Sequence, residues 1–463
     1  MTHDRDAADL VIHGGLVLTP DGLSRLDIAV RGSSIARIAP SIRVDGARQV
    51  DAGGLHVLPG ALDAHVHFGV PIAGTWSRDD AYTGTLAALC GGVTCAGDFT
   101  VQDPGEPLGA SIERRRKAAA ARGVFCDWFL HANVTSVTSA VLDEIPRAAA
   151  DGVASFKVFL AYPGMLLAPE VLRAVMQRVA GCGGLLMVHC EDQQRVQEAT
   201  EQLVASGRLA APHFFASRPP DAEALAVRVV GEMCRDLGAP AYVVHLSSAL
   251  GLRTARAERA LGARLYLETC PQYLLLSQRP RRPLSSEHLI CSPPIRLRRD
   301  RQALLRALAG GTVDVLATDH CPFTMAQKAR GARDFREAPG GLPGVETLLP
   351  IAYDLALRGV LPWPRLASVL TETPARLFGL SHRKGALKIG LDADFVLLDP
   401  SAETRIEAAR LHSSTDYNPY EGRVLRGAIQ AVFLRGRLRA QRTSSGRVEP
   451  VGGPAGEFVP AKV

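Results

Sequence analysis

Residues 58–67 read LPGALDAHVH, a short apolar run that opens on Pro-Gly and ends in two histidines. A run of this length between Gly and Pro punctuation has the pattern of a fully buried strand. In an open doubly wound sheet the first such strand leads into a Gly-rich phosphate loop. Here it leads into His-x-His instead. Seven more runs of the same texture follow: VTCAGDF (93–99), FCDWFLHANV (125–134), ASFKVFLA (154–161), GLLMVHCE (184–191), AYVVHLSS (241–248), ARLYLETC (263–270) and VDVLATDH (313–320). Between most of them lie stretches with helical spacing, such as APEVLRAVMQRVA and DAEALAVRVVGEMCRDLG. Eight buried strands alternating with helices predict an α/β fold, a (β/α)8 TIM-like barrel.

The chain is longer than one barrel needs. A barrel takes about 250 residues, and 463 leave room for an accessory domain. Both ends are rich in short β patterns: DLVIHGGLVLTP and LDIAVRGSSIARIA before the barrel, GALKIGLDADFVLLDP and GRVLRGAIQAVFLRGRLRA after it. They predict a small β-sandwich domain built from both termini. The expected division is residues 1–57 and 385–463 for the sandwich and 58–384 for the barrel. From Thr443 onward the chain is rich in Gly, Pro and Ser, so the tail is expected to be mobile or ordered by a partner subunit.

Composition excludes several classes. Met1–Leu10 carries early charges and no apolar core, against a signal peptide. No apolar run approaches the ~18 residues of a membrane span. The default expectation is a soluble, cytoplasmic protein without membrane contact. Net charge is +6, and the basic clusters Arg114–Lys117 and Arg296–Arg301 lack interleaved aromatics, so no nucleic-acid partner is expected. The nine cysteines are scattered and without CxxC pairing, which predicts reduced, buried thiols rather than a disulfide framework.

The ends of the predicted strands carry the chemistry. His65, His67, Lys157, His189, His245 and Asp319 each sit at or near a strand C-terminus, the face on which a barrel builds its site. Singly, each histidine reads as an ordinary hydrogen-bonded core residue. Together, four imidazoles and a carboxylate are a donor set for two divalent ions. Lys157 is diagnostic, because its setting SFKVFLAY is too apolar for a solvated ammonium. A neutral lysine there can take up carbon dioxide as a carbamate, an anionic bridging ligand.

At these residues the sequence resembles a known family. SFKVFLAY, ETCPQYL, CSPPIR, ATDHCPF, GLPGVET and DYNPYEG look like motifs of the cyclic amidohydrolases of the dihydropyrimidinase and hydantoinase type. LPGALDAHVHFGVPIAGTWSRDD and GTLAALCGGVTCAGDF are similar to that family's first strand and its successor. The resemblance implies two zinc ions, one on His65, His67 and Asp319, the other on His189 and His245, bridged by carbamylated Lys157 and a hydroxide. It implies that Tyr162 stabilises the oxyanion, that Asp319 moves the proton, and that Ser292 holds a small cyclic amide or imide through main-chain groups. It also implies a homotetramer or homodimer. A second main-chain contact falls at Gly340, where relatives carry asparagine, and HCED (189–192) stands where relatives often carry His-x-Glu-Asn.

The activity this implies is ring opening of dihydropyrimidines or 5-substituted hydantoins to N-carbamoyl amino acids. Rim stretches Phe68–Thr75 and Phe159–Gly164, with Trp76, are apolar enough to accept a hydrophobic ring substituent. Dihydroorotase-type relatives carry arginine two residues after His-x-His, where this chain has Gly69. Allantoinase is a nearer alternative. A non-catalytic assembly protein is a remote one, since all six ligand positions are filled.

Overall fold

The structure is a computed structural model and describes residues 8–280 and 283–463. Eight strands form the barrel: β1 (Ala61–Val66), β2 (Val93–Phe99), β3 (Asp127–Asn133), β4 (Ser155–Phe159), β5 (Leu185–His189), β6 (Ala241–Val243), β7 (Leu265–Thr269) and β8 (Val315–Leu316). All seven neighbouring pairs are parallel and run in chain order. Each of the eight predicted runs contains one strand.

Closure between β8 and β1 is made differently from the other seams, because β8 is only two residues long. A carboxylate takes over where the ladder stops. Buried Asp63 of β1 accepts hydrogen bonds from Thr318 N (3.0 Å) and Thr318 Oγ1 (2.5 Å). His67 N then donates to His320 O at 2.7 Å. This seam therefore fixes Asp319 against the His65–His67 segment.

Side chains fill the interior as barrel geometry requires. Leu62, Ala64, Phe99, Phe129, Met187 and Tyr242 pack together there. Phe378 enters from below, with ring centres 5.6 Å from Phe129 and 5.3 Å from Tyr242. A larger apolar layer lies between strands and outer helices, for example Val175 and Val179 of the helix Pro169–Gly181.

Two further sheets come from the termini. A four-stranded sheet holds Leu10–His13 between Asp27–Arg31 and Arg48–Asp51, with Ser34–Ala39 at its edge. A seven-stranded sheet joins both chain ends, four C-terminal strands followed by three N-terminal ones: Val424–Leu434 and Phe395–Arg405 pair onward to His56–Pro59 and Leu16–Thr19. Ile12, Ile28, Val57, Phe395 and Phe433 fill the space between these sheets. The β-sandwich from both termini is thus present beside the barrel. One glycine makes the junction possible: a Cβ on Gly60 would lie 2.1 Å from Thr94 Oγ1.

The tail differs from expectation. Val448–Pro450 adds an edge strand to the seven-stranded sheet. The chain then crosses the N-terminal end of the barrel, with Trp128 N bonded to Glu457 O (2.9 Å), Val459 N to Trp128 O (2.8 Å) and Lys462 N to Gly379 O (2.9 Å). Composition suggested mobility, but main-chain hydrogen bonds to this chain's own barrel hold the tail, and buried Val459 joins the barrel core. At the same end, Asp127, Asp392 and Asp394 converge on the buried Lys384 ammonium, at 2.5, 2.8 and 2.6 Å. Lys384→Met would leave three buried carboxylates with Arg383 and Arg435 as the remaining cations among the described residues, and is expected to cost about 3–5 kcal/mol in denaturant unfolding. A loss under about 1 kcal/mol would contradict this reading.

Candidate active site

The six predicted ligand positions meet on one face. His65 lies within β1 and His67 just beyond it; Lys157 is in β4 and His189 ends β5. His245 follows β6 by two residues and Asp319 follows β8 by three. Among the described residues five non-glycine positions have positive φ, and three belong here: Tyr162 (75°), His245 (39°) and Asp319 (54°). Left-handed backbone costs an L-residue roughly 1–2 kcal/mol, so its concentration at the strand ends marks a site that spends stability to aim side chains.

Two donor groups result. His65 Nε2, His67 Nε2 and Asp319 Oδ1 lie 3.2–3.3 Å from one another. His189 Nδ1 and His245 Nε2 lie 3.0 Å apart. Outer partners fix which nitrogen carries the proton. Glu268 accepts from His65 Nδ1 (2.8 Å), so the Nε2 lone pair faces the site. Glu191 accepts from His189 Nε2 (2.8 Å), so Nδ1 faces it. Burial holds His65, His189 and His245 below the ordinary imidazole pKa, hence neutral. Burial pushes Asp319 upward, but the His65 and His67 imidazoles outweigh it and keep the carboxyl below its usual value. Converging lone pairs with a carboxylate among them suit a divalent cation.

Lys157 fits the same picture. Its side chain is 1% exposed, with Nζ 5.5 Å from the Phe99 ring centre and 5.3 Å from that of Phe159. No hydrogen bond or ion pair to a described residue satisfies it. Burial pulls its pKa down to about 8, within reach of the neutral amine. Three polar atoms around it are buried and unpartnered among the described residues: His245 Nδ1, Asn133 Oδ1 and Glu191 Oε1.

Above these groups opens a cavity of about 580 Å³. All nine site residues expected from the sequence line it: the six above, with Tyr162, Ser292 and Gly340. Burial pushes the Tyr162 phenol up to about 12, which keeps it a proton donor at neutral pH. Glycine at 340 answers no steric need: an added Cβ would meet only Ser292 Oγ, at 3.7 Å. Gly340→Ala is therefore expected to fold normally and to gain about 0.4–1 kcal/mol through the unfolded chain, read as a raised Tm. A lowered Tm would mean the glycine conformation is required. Its neighbour Gly341 is different, with φ +148° and Cys321 O only 2.5 Å from an ideal Cβ.

Sequence reasoning passed over four residues. Glu268 accepts from His65 Nδ1, from His245 N and from the Tyr242 hydroxyl, each at 2.8 Å. Burial raises Glu191, but the Arg218 guanidinium and His189 outweigh it and hold the carboxyl at about 2. Arg218 also lies 4.9 Å over the Tyr162 ring. Asn133 lines the cavity beside Lys157, its register partner on β4. Glu268 and Glu191 stand in ETCPQYL and HCED, which were in plain view. Arg218 and Asn133 left no such signal.

The model of the amidohydrolase family matches residues 56–439. The chain belongs to that family. It is 36% identical to a D-phenylhydantoinase of Escherichia coli over 435 residues, 93% of this chain and 94% of the relative. Among solved structures, dihydropyrimidinase from Brevibacillus agri superposes with a TM-score of 0.93 at 31% identity, covering 98% of each chain. D-hydantoinase (dihydropyrimidinase) from a Thermus species gives a TM-score of 0.92 at 30% identity over 98% of this chain and 99% of that one. This amidohydrolase thus sits in the dihydropyrimidinase and hydantoinase branch, among the cyclic amidohydrolases. No helix among the described residues is long and apolar enough to cross a membrane.

Proposed function

We propose that this amidohydrolase opens the ring of 5-substituted hydantoins, and of dihydropyrimidines, to give N-carbamoyl α- or β-amino acids. The observation that carries the reading is the pair of donor groups with the unpartnered, buried Lys157 beside them, on the floor of a cavity that also presents a phenol. His65, His67 and Asp319 would hold one zinc ion and His189 and His245 the other, with carbamylated Lys157 between them. When bound there, two such ions would supply a hydroxide near neutral pH and a Lewis acid for a carbonyl.

The chain's own groups do the rest. Main-chain groups at Ser292 and Gly340 grip the ring so that its carbonyl faces Tyr162. The phenol donates to the oxygen on which negative charge develops during attack. Asp319 accepts the proton released as oxygen adds to the carbonyl carbon, then returns it to the ring nitrogen as the C–N bond breaks. Water is consumed, and no oxidant or reductant is needed.

Cavity chemistry favours substituted rings over bare ones. Val70, Ile72, Phe159, Met165, Phe214 and Phe335 give it an apolar half larger than an unsubstituted ring fills. Among the described residues, no arginine lining the cavity is free to meet a dihydroorotate carboxylate. Arg218 is committed to Glu191 and Arg336 forks both oxygens of Asp334 (2.9 and 3.1 Å), while Arg78 lies outside the lining with its Nε on Ser414 O (3.5 Å). Chelation tests the metal requirement. Protein stripped of metal is expected to lose hydrolysis of a 5-substituted hydantoin, and zinc with bicarbonate to restore it. Undiminished turnover at negligible metal content would overturn the reading.

A further inference from the structure

The short helix Met325–Ala329 lies outside the cavity lining, yet it is bonded to two of the cavity's walls. On one side Lys328, 0% exposed, donates from Nζ to Ile290 O (2.6 Å) and Pro339 O (2.8 Å). Those carbonyls belong to the two segments that carry Ser292 and Gly340. Gly341 N to Ile290 O, at 3.1 Å, also joins the segments.

On the other side Gln327 Nε2 donates to Thr75 Oγ1 (2.7 Å) and Trp76 O (3.0 Å). Thr75 and Trp76 pair with Pro71 and Ile72 in a hairpin, and Pro71, Ile72 and Ala73 face the cavity. The helix is itself pinned. Asp416 Oδ1 accepts from Met325 N (2.7 Å), and Gln327 Oε1 accepts from Thr324 N (2.8 Å). A fully buried ammonium is an expensive way to fill space that an aliphatic chain could fill. Burial pulls it down to about 7. Even as a neutral amine it keeps two N–H groups for its two carbonyls, so the strut holds in either protonation state.

We propose that Met325–Ala329 is a bracket: Lys328 sets the spacing of the two main-chain segments that grip the ring, and Gln327 sets the hairpin wall that faces the ring's substituent. Both act as positioning residues and neither touches substrate. The inference rests on the proposed ring-opening function, because it is the Ser292 and Gly340 segments that Lys328 holds together.

The test measures zinc-loaded wild type, Lys328→Met and Gln327→Leu on dihydrouracil and on 5-benzylhydantoin, with metal content assayed alongside. Lys328→Met is expected to raise KM for both rings about tenfold, with kcat within about threefold and metal retained. Gln327→Leu is expected to raise KM for 5-benzylhydantoin about fivefold and to leave dihydrouracil unchanged. Unmoved KM in Lys328→Met, or loss of kcat together with metal, overturns the bracket. If Lys328→Met does not fold, Gln327→Leu decides: a selective effect supports the bracket, and no effect or an equal effect on both rings overturns it. Wild type that opens neither ring overturns the proposed function itself, and that outcome is visible before any variant is compared.

Discussion

Lys157→Met is expected to abolish metal binding and turnover together while making the metal-free protein more stable. Methionine has nearly the length of lysine but cannot form a carbamate, so the anion that would join the two donor groups is lost. Turnover should fall by at least about 10⁴-fold, more than about 5 kcal/mol of transition-state stabilisation. Stability should move the other way. Burial lowers the Lys157 pKa from 10.5 to about 8, so the unfolded chain binds this proton more tightly than the folded one. That costs the metal-free fold about 3 kcal/mol at any pH below 8. The cost fades as pH rises from 8 to 10.5 and is absent above. Denaturant unfolding of metal-free wild type and Lys157→Met at pH 7 and again near pH 10.5 reads this directly. A variant that keeps its metal and its activity would remove the carbamate from the account. A variant no more stable than wild type at pH 7 would show that Lys157 is already satisfied in the metal-free fold.

Tyr162→Phe should separate chemistry from assembly. The ring stays in place over the same left-handed backbone, and the Tyr162 main-chain N–H keeps its bond to Gln193 Oε1 (2.9 Å). Only the hydroxyl is lost, with its proton and its hydrogen bond to Ser292. Removing one donor to a developing oxyanion costs about 10²–10³ in kcat. Metal content and KM should barely change. A kcat within about threefold of wild type would take the phenol out of the reaction.

The sequence carries the barrel plainly because the strands are largely buried on both faces and so read as short, mostly apolar runs. The six candidate ligands were legible for a related reason: each interrupts such a run with a group that burial makes costly. What the sequence hid is long-range. His65 and Glu268 lie 203 residues apart, and nothing in either segment announces the other. Arg218, in the stretch ASRPPD, looks like a surface arginine until it is seen capping Glu191 and the Tyr162 ring. The β8–β1 seam was equally silent, since Asp63 reads as an odd polar residue inside a strand. The tail misled because Gly and Pro content reports backbone freedom and says nothing of main-chain partners such as Trp128 and Gly379. Gly340 looked like a loss of rigidity, yet Lys328 and Gly341 tie its segment to Ile290.

The most direct test of the central claim is hydrolysis by zinc-loaded protein of four rings side by side: dihydrouracil, a 5-substituted hydantoin, allantoin and dihydroorotate. Ring opening of the hydantoin, with dihydrouracil slower and the other two untouched, is the predicted result. Turnover confined to allantoin or dihydroorotate, or none at all with zinc bound, would contradict it.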